Sequence, residues 1–505
     1  MIFNRKDYLD KVLGCWMGKN IGGTLGAPFE WRRQINNVKF YTQDLHGEPL
    51  PNDDLDIQLL WLIAMEDRGV HINSQTLDEY WCLHVTPHWA EYGTGKINMR
   101  SGLLPPLSGT LNNAYKNSCG SFIRSEIWAC IAPGCPRIAA RYAYEDAILD
   151  HGNGEGVYAE VFCAVMESAA FVVPDLRKLI AIGLSYIPKD CGVSRAVRCA
   201  VDCHKAGKTW KKTRDEILRR HRGSSFFNNP QHTSPDDTKK GFAKGDLGYD
   251  APSNVAILVA GLLYGGNDFG KMLCITVNCG EDTDCTGATA GSIFGIIHGI
   301  GAIPKKWIDP IGRGIKTIAI NVGDVGGHLP KTVDDLTERT ARIAEQVLLR
   351  NRGARMSIAV DKATDLGDLD VGNLYSRDGG AEFYTSLNGP RFQFDFFTVE
   401  VDYGDAPFVR SNEPKKIRLT VRNTYLAQAN ISVHWYMPEG WQVLPGADGV
   451  VQSLPRWLGE PVTVEFTVQA EKVTRTMNRC VVEMTIEGRP TVMLVPITLM
   501  NGNAM

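Results

Sequence analysis

Asn52-Asp53-Asp54-Leu55-Asp56 and Glu281-Asp282-Thr283-Asp284-Cys285-Thr286 concentrate carboxylates in two short stretches far apart in the chain. Each follows turn-forming residues and opens a segment with helical spacing of apolar side chains. Leu59, Leu60, Leu62 and Ile63 continue the first; Ile293, Phe294, Ile296 and Ile297 continue the second. Carboxylates in a first helical turn are favoured by the helix dipole, but adjacent pairs repel one another. If the clusters meet in space, a hard divalent cation is the natural way to neutralise them. If they do not meet, each is an ordinary acidic helix start.

The elements that must position them carry glycines at a regular interval. Gly14, Gly18, Gly22 and Gly26 form one series and Gly287, Gly291, Gly295 and Gly299 the other. On a helix an i, i+4 spacing makes one stripe, so each segment presents a smooth groove for close backbone approach. Glycine costs up to about 1 kcal/mol per helix position relative to alanine, so repeated use demands a packing reason. A membrane-type small-residue interface is the rival reading; Lys19, Asn20, the short apolar runs and a mean hydropathy of -0.17 argue against it. Two closely packed core helices are expected, with their polar, motif-bearing ends side by side.

With 505 residues the chain has room for two domains or more. A net charge of -3 gives no electrostatic case for a nucleic-acid partner. No stretch reaches the roughly 18 uninterrupted apolar residues of a membrane span, and Met1-Ile-Phe-Asn-Arg-Lys-Asp7 lacks the apolar core of a secretory signal. The 13 cysteines include no Cys-x-x-Cys pair and lie scattered in apolar segments, as at Cys15, Cys82, Cys163 and Cys274. That is the usage of a reduced, cytoplasmic protein and argues against a structural zinc site. A homo-oligomer is left open.

From Tyr8 to about Arg350 the apolar spacing is helical, as in Val157–Val173, Leu176–Tyr186, Asn254–Leu263 and Val333–Leu349. Two long connections interrupt it: Thr86–Asn113, with His88, Trp89 and Tyr92 grouped, and Ser224–Asn254, which ends Gly245-Asp246-Leu247-Gly248-Tyr249-Asp250. Long loops in a compact domain are either functional or disordered insertions. Farther on, Ile417–Asn423, Ile431–Trp435, Val462–Val468, Val481–Ile486 and Val492–Ile497 alternate as strands do, with turn residues between them. The expected architecture is therefore an all-α domain over 1–350, a linker over 351–379 and an all-β, immunoglobulin-like sandwich over 380–505.

Over roughly residues 8–345 the helical part resembles the ADP-ribosylglycohydrolase family, all-helical, magnesium- or manganese-dependent hydrolases related to the dinitrogenase-reductase-activating glycohydrolase. The resemblance lies in Gly14 to Glu30, like the family's opening helix with its closing glutamate; in Asn52-Asp53-Asp54, where the family has Thr-Asp-Asp; in Glu281-Asp-Thr-Asp-Cys-Thr-Gly287, like Gly-Gly-Asp-Thr-Asp-Thr; and in His298 to Trp307. It implies that Asp53, Asp54, Asp282 and Asp284 hold two metal ions, Mg2+ or Mn2+ with Ca2+ as a further option, and that Glu30 stands at the edge of the site. All-oxygen ligands suit those ions. Two bridged cations can grip vicinal sugar hydroxyls and lower the pKa of a bound water, which fits cleavage of a ribosyl C1–N or C1–O bond. Glu30 or Asp284 would move the proton.

The chain departs from the family at informative places. Asn52 stands for a threonine and offers an amide oxygen. Cys285 stands for the last threonine ligand and is a poor partner for magnesium, which one helical step away Asp56 could offset. Cys119-Gly-Ser-Phe-Ile-Arg124 corresponds loosely to the family's Asn-Gly-x-x-Met-Arg, and Asp150-His151 to its Thr-His. Arg124 is either a substrate contact or the partner of Glu126 or a helix end. His151 is either a contact or a capping histidine. Trp89 and Tyr92 are core aromatics or a platform for a sugar or base. Tyr249 joins the candidate contacts, whereas Asp250 reads first as a helix cap. Pro438-Glu-Gly-Trp441 looks like accessory sandwiches appended to bacterial carbohydrate-active enzymes, a likeness that shared geometry alone can produce. Three functions follow: hydrolysis of an ADP-ribosyl bond, hydrolysis of a small glycoside or nucleoside without a diphosphate, or non-catalytic binding of ADP-ribose or a sugar.

Overall fold

Every residue from Gly14 to Gly26 in the helix Arg5–Gly26 is buried, because a second helix, Thr283–His298, lies directly against it. The two run antiparallel with glycine facing glycine. A Cβ built on Gly14 would stand 2.6 Å from the Gly295 carbonyl oxygen, and Gly18 against Gly291, Gly22 against Gly287 and Gly26 against Thr283 are closer still. Those approaches are the packing reason for the glycines, and they place the C-terminus of one helix beside the N-terminus of the other.

This computed structural model describes residues 1–222, 233–243, 248–351, 353–384 and 388–503. The chain forms two units, Met1–Lys96 with Asn112–Phe383, and Ile97–Leu111 with Tyr384–Met505. In the first, Asp53–Arg68, Glu155–Ala170, Ala251–Gly265, Phe269–Asn278 and Val333–Arg350 surround the glycine-striped pair. Asp53–Arg68 buries Leu55, Leu59, Leu60, Trp61 and Leu62 and ends at Gly69, whose φ of 80° suits glycine. Ile2–Asn4 pairs in parallel with Ser357–Ala359. Among the described residues, no helix is long and apolar enough to cross a membrane.

Among the described residues, the second unit has two five-stranded sheets. One runs in the order Arg391–Gln393, Phe397–Asp402, Lys415–Asn423, Val462–Ala470, Trp441–Leu444. The other runs Phe408–Val409, Val492–Asn501, Met477–Ile486, Ala429–Tyr436, Asp448–Ser453. Alternate residues of both, among them Leu419, Val421, Val433, Trp435, Val482 and Val495, share one core with Leu103 and Leu107.

One expectation is corrected. Thr86–Asn113 is not a plain loop but contains the helices Ala90–Arg100 and Leu107–Thr110. Its glycines mislead because they serve packing: a Cβ on Gly95 would meet Asp150 at 3.0 Å. In the other connection, 224–232 and 244–247 lie outside the described residues, and Pro235–Lys239 is a short helix.

Candidate metal centre

Local backbone chemistry sets up each acidic residue. Asn52 caps Asp53–Arg68, its Oδ1 accepting the Asp54 amide at 2.7 Å, so Asp53 and Asp54 open the first turn. Gly280 and Glu281 both have left-handed φ angles, 73° and 70°, and turn the chain into Thr283–His298 with Asp282 at its start. The Asp282 amide donates to Asn254 Oδ1 at 3.2 Å, and Thr283 Oγ1 donates to the Gly26 carbonyl at 2.8 Å. Trp31 N donates to the Glu281 carbonyl at 2.8 Å, which clips the end of the opening helix, and Glu30 with it, against the second cluster.

The clusters do meet. Ligand atoms of Glu30, Asp282 and Asp284 lie within 4.8 Å of one another, as do those of Asp54, Asp284 and Cys285, and those of Cys119, Asp282 and Cys285. Burial pushes these carboxyls up, and their neighbours add to it. Glu30 rises to about 10 through burial and then through Asp284, Asp53 and Asp54. Asp53 rises to about 6 through burial and Asp284, against a hydrogen bond from Tyr92 that lowers it. Asp54, Asp282 and Asp284 also move up, burial being the largest cause in each. The Lys19 ammonium, whose charge opposes these shifts at Asp53, Asp54 and Asp284, is committed to Glu126 at 2.8 Å and to the Ile123 carbonyl at 2.6 Å. Asp54 Oδ2, Asp282 Oδ1 and Asp284 Oδ1 are buried without a hydrogen-bond partner among the described residues. Buried carboxylate oxygens left unsatisfied are costly, and divalent cations with oxygen ligands fit this donor set.

Above the carboxylates is a cavity of about 580 Å³. Glu30, Asn52, Asp53, Asp282 and Asp284 line its acidic side; Trp31, Trp89, Tyr92, Tyr115 and Tyr249 give it aromatic walls. Trp89 is half exposed and stacks on Tyr92 with centroids 6.4 Å apart. Tyr92 OH donates to Asp53 Oδ2 at 3.0 Å, tying wall to floor. Trp31 packs edge-on to Tyr249 at 6.5 Å. Flat apolar faces over a polar floor suit a sugar or base.

The ADP-ribosylglycohydrolase family profile matches residues 4–346. The chain belongs to the ADP-ribosylglycohydrolase family. Among solved structures, a chain of an ADP-ribosylglycohydrolase-related protein complex is similar at 18% identity with a TM-score of 0.44, over 67% of this chain and 99% of that one. No curated protein matches.

Set beside the family's motifs, the residues expected from sequence separate into two groups. Glu30, Asp53, Asp54, Asp282, Asp284 and Cys285 come together, with Trp89, Tyr92 and Tyr249 around them. Asn52 reaches the cavity, yet its amide oxygen is engaged as a helix cap. Asp56 points elsewhere: its Oδ2 accepts the backbone amides of Ile318 and Ala319 at 2.7 and 2.6 Å, as the i, i+3 geometry alone could not reveal. Arg124 is fully buried, held by Asp146 at 2.8 Å and Asp150 at 2.7 Å, with its guanidinium over Trp81. It is not among the cavity's lining residues, and neither is His151, which is buried between Asp150 (2.8 Å) and Ser118 (3.0 Å). Both brace the loop that carries Ser118 and Cys119. Sequence reasoning missed Trp31, Tyr115 and above all Cys119, whose Sγ lies 2.9 Å from Asp282 Oδ2. The available signal was that Cys119 and Cys285 are both cysteines at departures from the family's motifs.

Proposed function

We propose that this family member is a divalent-cation-dependent hydrolase of a ribosyl-type N- or O-glycosidic bond. The observation that carries the reading is the convergence of Glu30, Asp282 and Asp284 within 4.8 Å, beside Asp53 and Asp54, on the floor of an aromatic-walled cavity. Bound Mg2+ or Mn2+ would supply a grip on vicinal hydroxyls and an acidified water. The chain's own residues do the rest. Asp53, Asp54, Asp282 and Asp284 hold and orient the cationic centre. Trp89, Tyr92 and Tyr249 stack on the sugar or its leaving group and exclude water from one face. With cations bound, their charge would return Glu30, at the partly open edge, to its carboxylate form, and it would then take the proton from the attacking water, with Asp284 as a second carboxylate beside it.

Glu30→Gln separates these roles. Turnover of an ADP-ribosyl or nucleoside substrate should fall at least about a hundredfold, as loss of a general base does, while manganese still raises the thermal midpoint. Retained turnover would exclude Glu30 as the base.

A second reading has its own support. Among the described lining residues of the cavity there is no Lys, Arg or His, the side chains that usually grip a diphosphate. That favours an uncharged glycoside or nucleoside over ADP-ribose. The two part cleanly in a thermal-shift titration with manganese present: ADP-ribose stabilises the protein under the first reading and leaves it unchanged under the second.

A further inference from the structure

Cys119 and Cys285 stand far apart in the chain, yet their sulfur atoms and a carboxylate oxygen of Asp282 lie within 4.8 Å of one another. Cys285 Sγ is also 3.6 Å from Asp54 Oδ1. Cys119 is placed by its backbone: its amide donates to the Tyr249 carbonyl at 2.8 Å, next to the Ser118–Asp250 bridge. Cys285 is placed by the first turn of Thr283–His298. Asp282 is 4% exposed, its Oδ1 has no hydrogen-bond partner among the described residues, and all three side chains line the cavity.

We propose that Cys119, Asp282 and Cys285 form a sulfur-bearing cation subsite that takes a thiophilic divalent ion of the zinc class, beside the oxygen-only subsite of Glu30, Asp282 and Asp284. Tetrahedral zinc with sulfur at about 2.3 Å and oxygen at about 2.0 Å holds its ligands roughly 3.5–3.8 Å apart, so the Cys119 Sγ–Asp282 Oδ2 pair, now 2.9 Å apart, opens by about 0.6 Å and no other pair closes by more than about 1.3 Å. Three protein ligands leave the fourth position toward the cavity, the arrangement of an open rather than a structural site. Asp282 is common to both subsites and is the bridging carboxylate. On binding, two Sγ–metal bonds form and the two thiol protons leave to solvent, with no change of oxidation state. Soft sulfur selects zinc-class ions over magnesium, whereas the oxygen-only subsite does not. The proposal rests on the reading of this cluster as a cation site. Its readout is ion binding alone, so a failed hydrolase assay and a failed titration are separate results.

The test is a Co2+ titration of chelator-stripped, full-length protein followed by near-ultraviolet absorption. A thiolate-to-cobalt charge-transfer band should grow to saturation at one ion per chain. Zn2+ should bleach it and excess Mg2+ should not. Cys119→Ser and Cys285→Thr should each cut the band by about half or more, because each removes one of two sulfur ligands. Cys480→Ser, in the β-sandwich, should leave it intact. Cys285→Thr should also tighten magnesium by about tenfold in calorimetry, a hydroxyl replacing a thiol for a hard ion. If Cys285→Thr fails to fold, Cys119→Ser alone decides. No band in the wild type, a band equally strong in Cys119→Ser, or bleaching by magnesium would overturn the proposal; the thiols would then be hydrogen-bond donors to Asp282 and Asp54.

Discussion

Asp282 occupies the N-cap position of Thr283–His298, yet its side chain makes no capping hydrogen bond, and its Oδ1 is buried with no hydrogen-bond partner among the described residues. A carboxylate so placed serves something other than the helix. Asp282→Ala should therefore abolish the thermal stabilisation given by magnesium or manganese while the helical circular dichroism persists. Equal stabilisation of variant and wild type would remove this residue from the cation site. The same carboxyls predict a pH effect of definite sign. Asp53 moves up from 3.8 to about 6, so in the metal-free folded chain it keeps a proton that the unfolded chain has released. Stability is then fullest below the ordinary value and falls as pH rises from about 4 toward 6. The metal-free protein should lose a few degrees of thermal midpoint across that window. Manganese should restore them above pH 6 and do little below pH 4. A midpoint that rises through the window without metal would contradict this electrostatic picture.

At the scale of elements, the glycine-striped helix pair is what makes the site. Arg5–Gly26 and Thr283–His298 touch backbone to backbone, and their register decides how far Glu30 stands from Asp282 and Asp284. Gly18→Ala places a methyl inside the Gly291 carbonyl and must push the helices apart. A loss of about 3 kcal/mol or more in denaturant unfolding is expected, since overpacking of a rigid core relaxes poorly. Manganese affinity should fall with it. Gly301→Ala, which meets nothing within 4 Å, should stay within about 0.5 kcal/mol of wild type. If both substitutions are equally mild, the stripe is not the tight interface described here.

At the scale of the whole chain, every residue assigned to the candidate centre belongs to the first unit, which runs to Phe383 and omits Ile97–Leu111. A cut near residue 350 would remove Ser357–Ala359, the partner of Ile2–Asn4. A cut after Phe383 keeps it, but strands Leu103 and Leu107 without their core. Fused to a solubilising partner, the chain ending at Phe383 should bind manganese within about threefold of the full-length protein, less than 1 kcal/mol. Lost binding in a fragment whose circular dichroism remains helical would mean that the second unit contributes to the site.

Local signals were legible without coordinates. The alternation over Ile417–Asn423 and Val492–Ile497 announced strands that run Lys415–Asn423 and Val492–Asn501, and the acidic starts at Asp53 and Thr283 announced helices, because period and capping are properties of neighbouring residues. The glycine stripes even announced their own pairing, since nothing but a close partner repays that many glycines in a helix. The edge strand Phe408–Val409 carried too few residues for a pattern, and Asp448–Ser453 places Val450 and Val451 side by side with no apolar alternation. Only the tertiary structure decided which way a side chain faces once its helix is packed. Asp53 and Asp56 share a helix start, but Asp56 turns to the amides of Ile318 and Ala319. Arg124 disappears into a pair of aspartates, and Cys119, in a stretch with no pattern of its own, arrives beside Asp282. Contacts between residues distant in sequence follow from how whole elements exclude water together, and no local spacing records that.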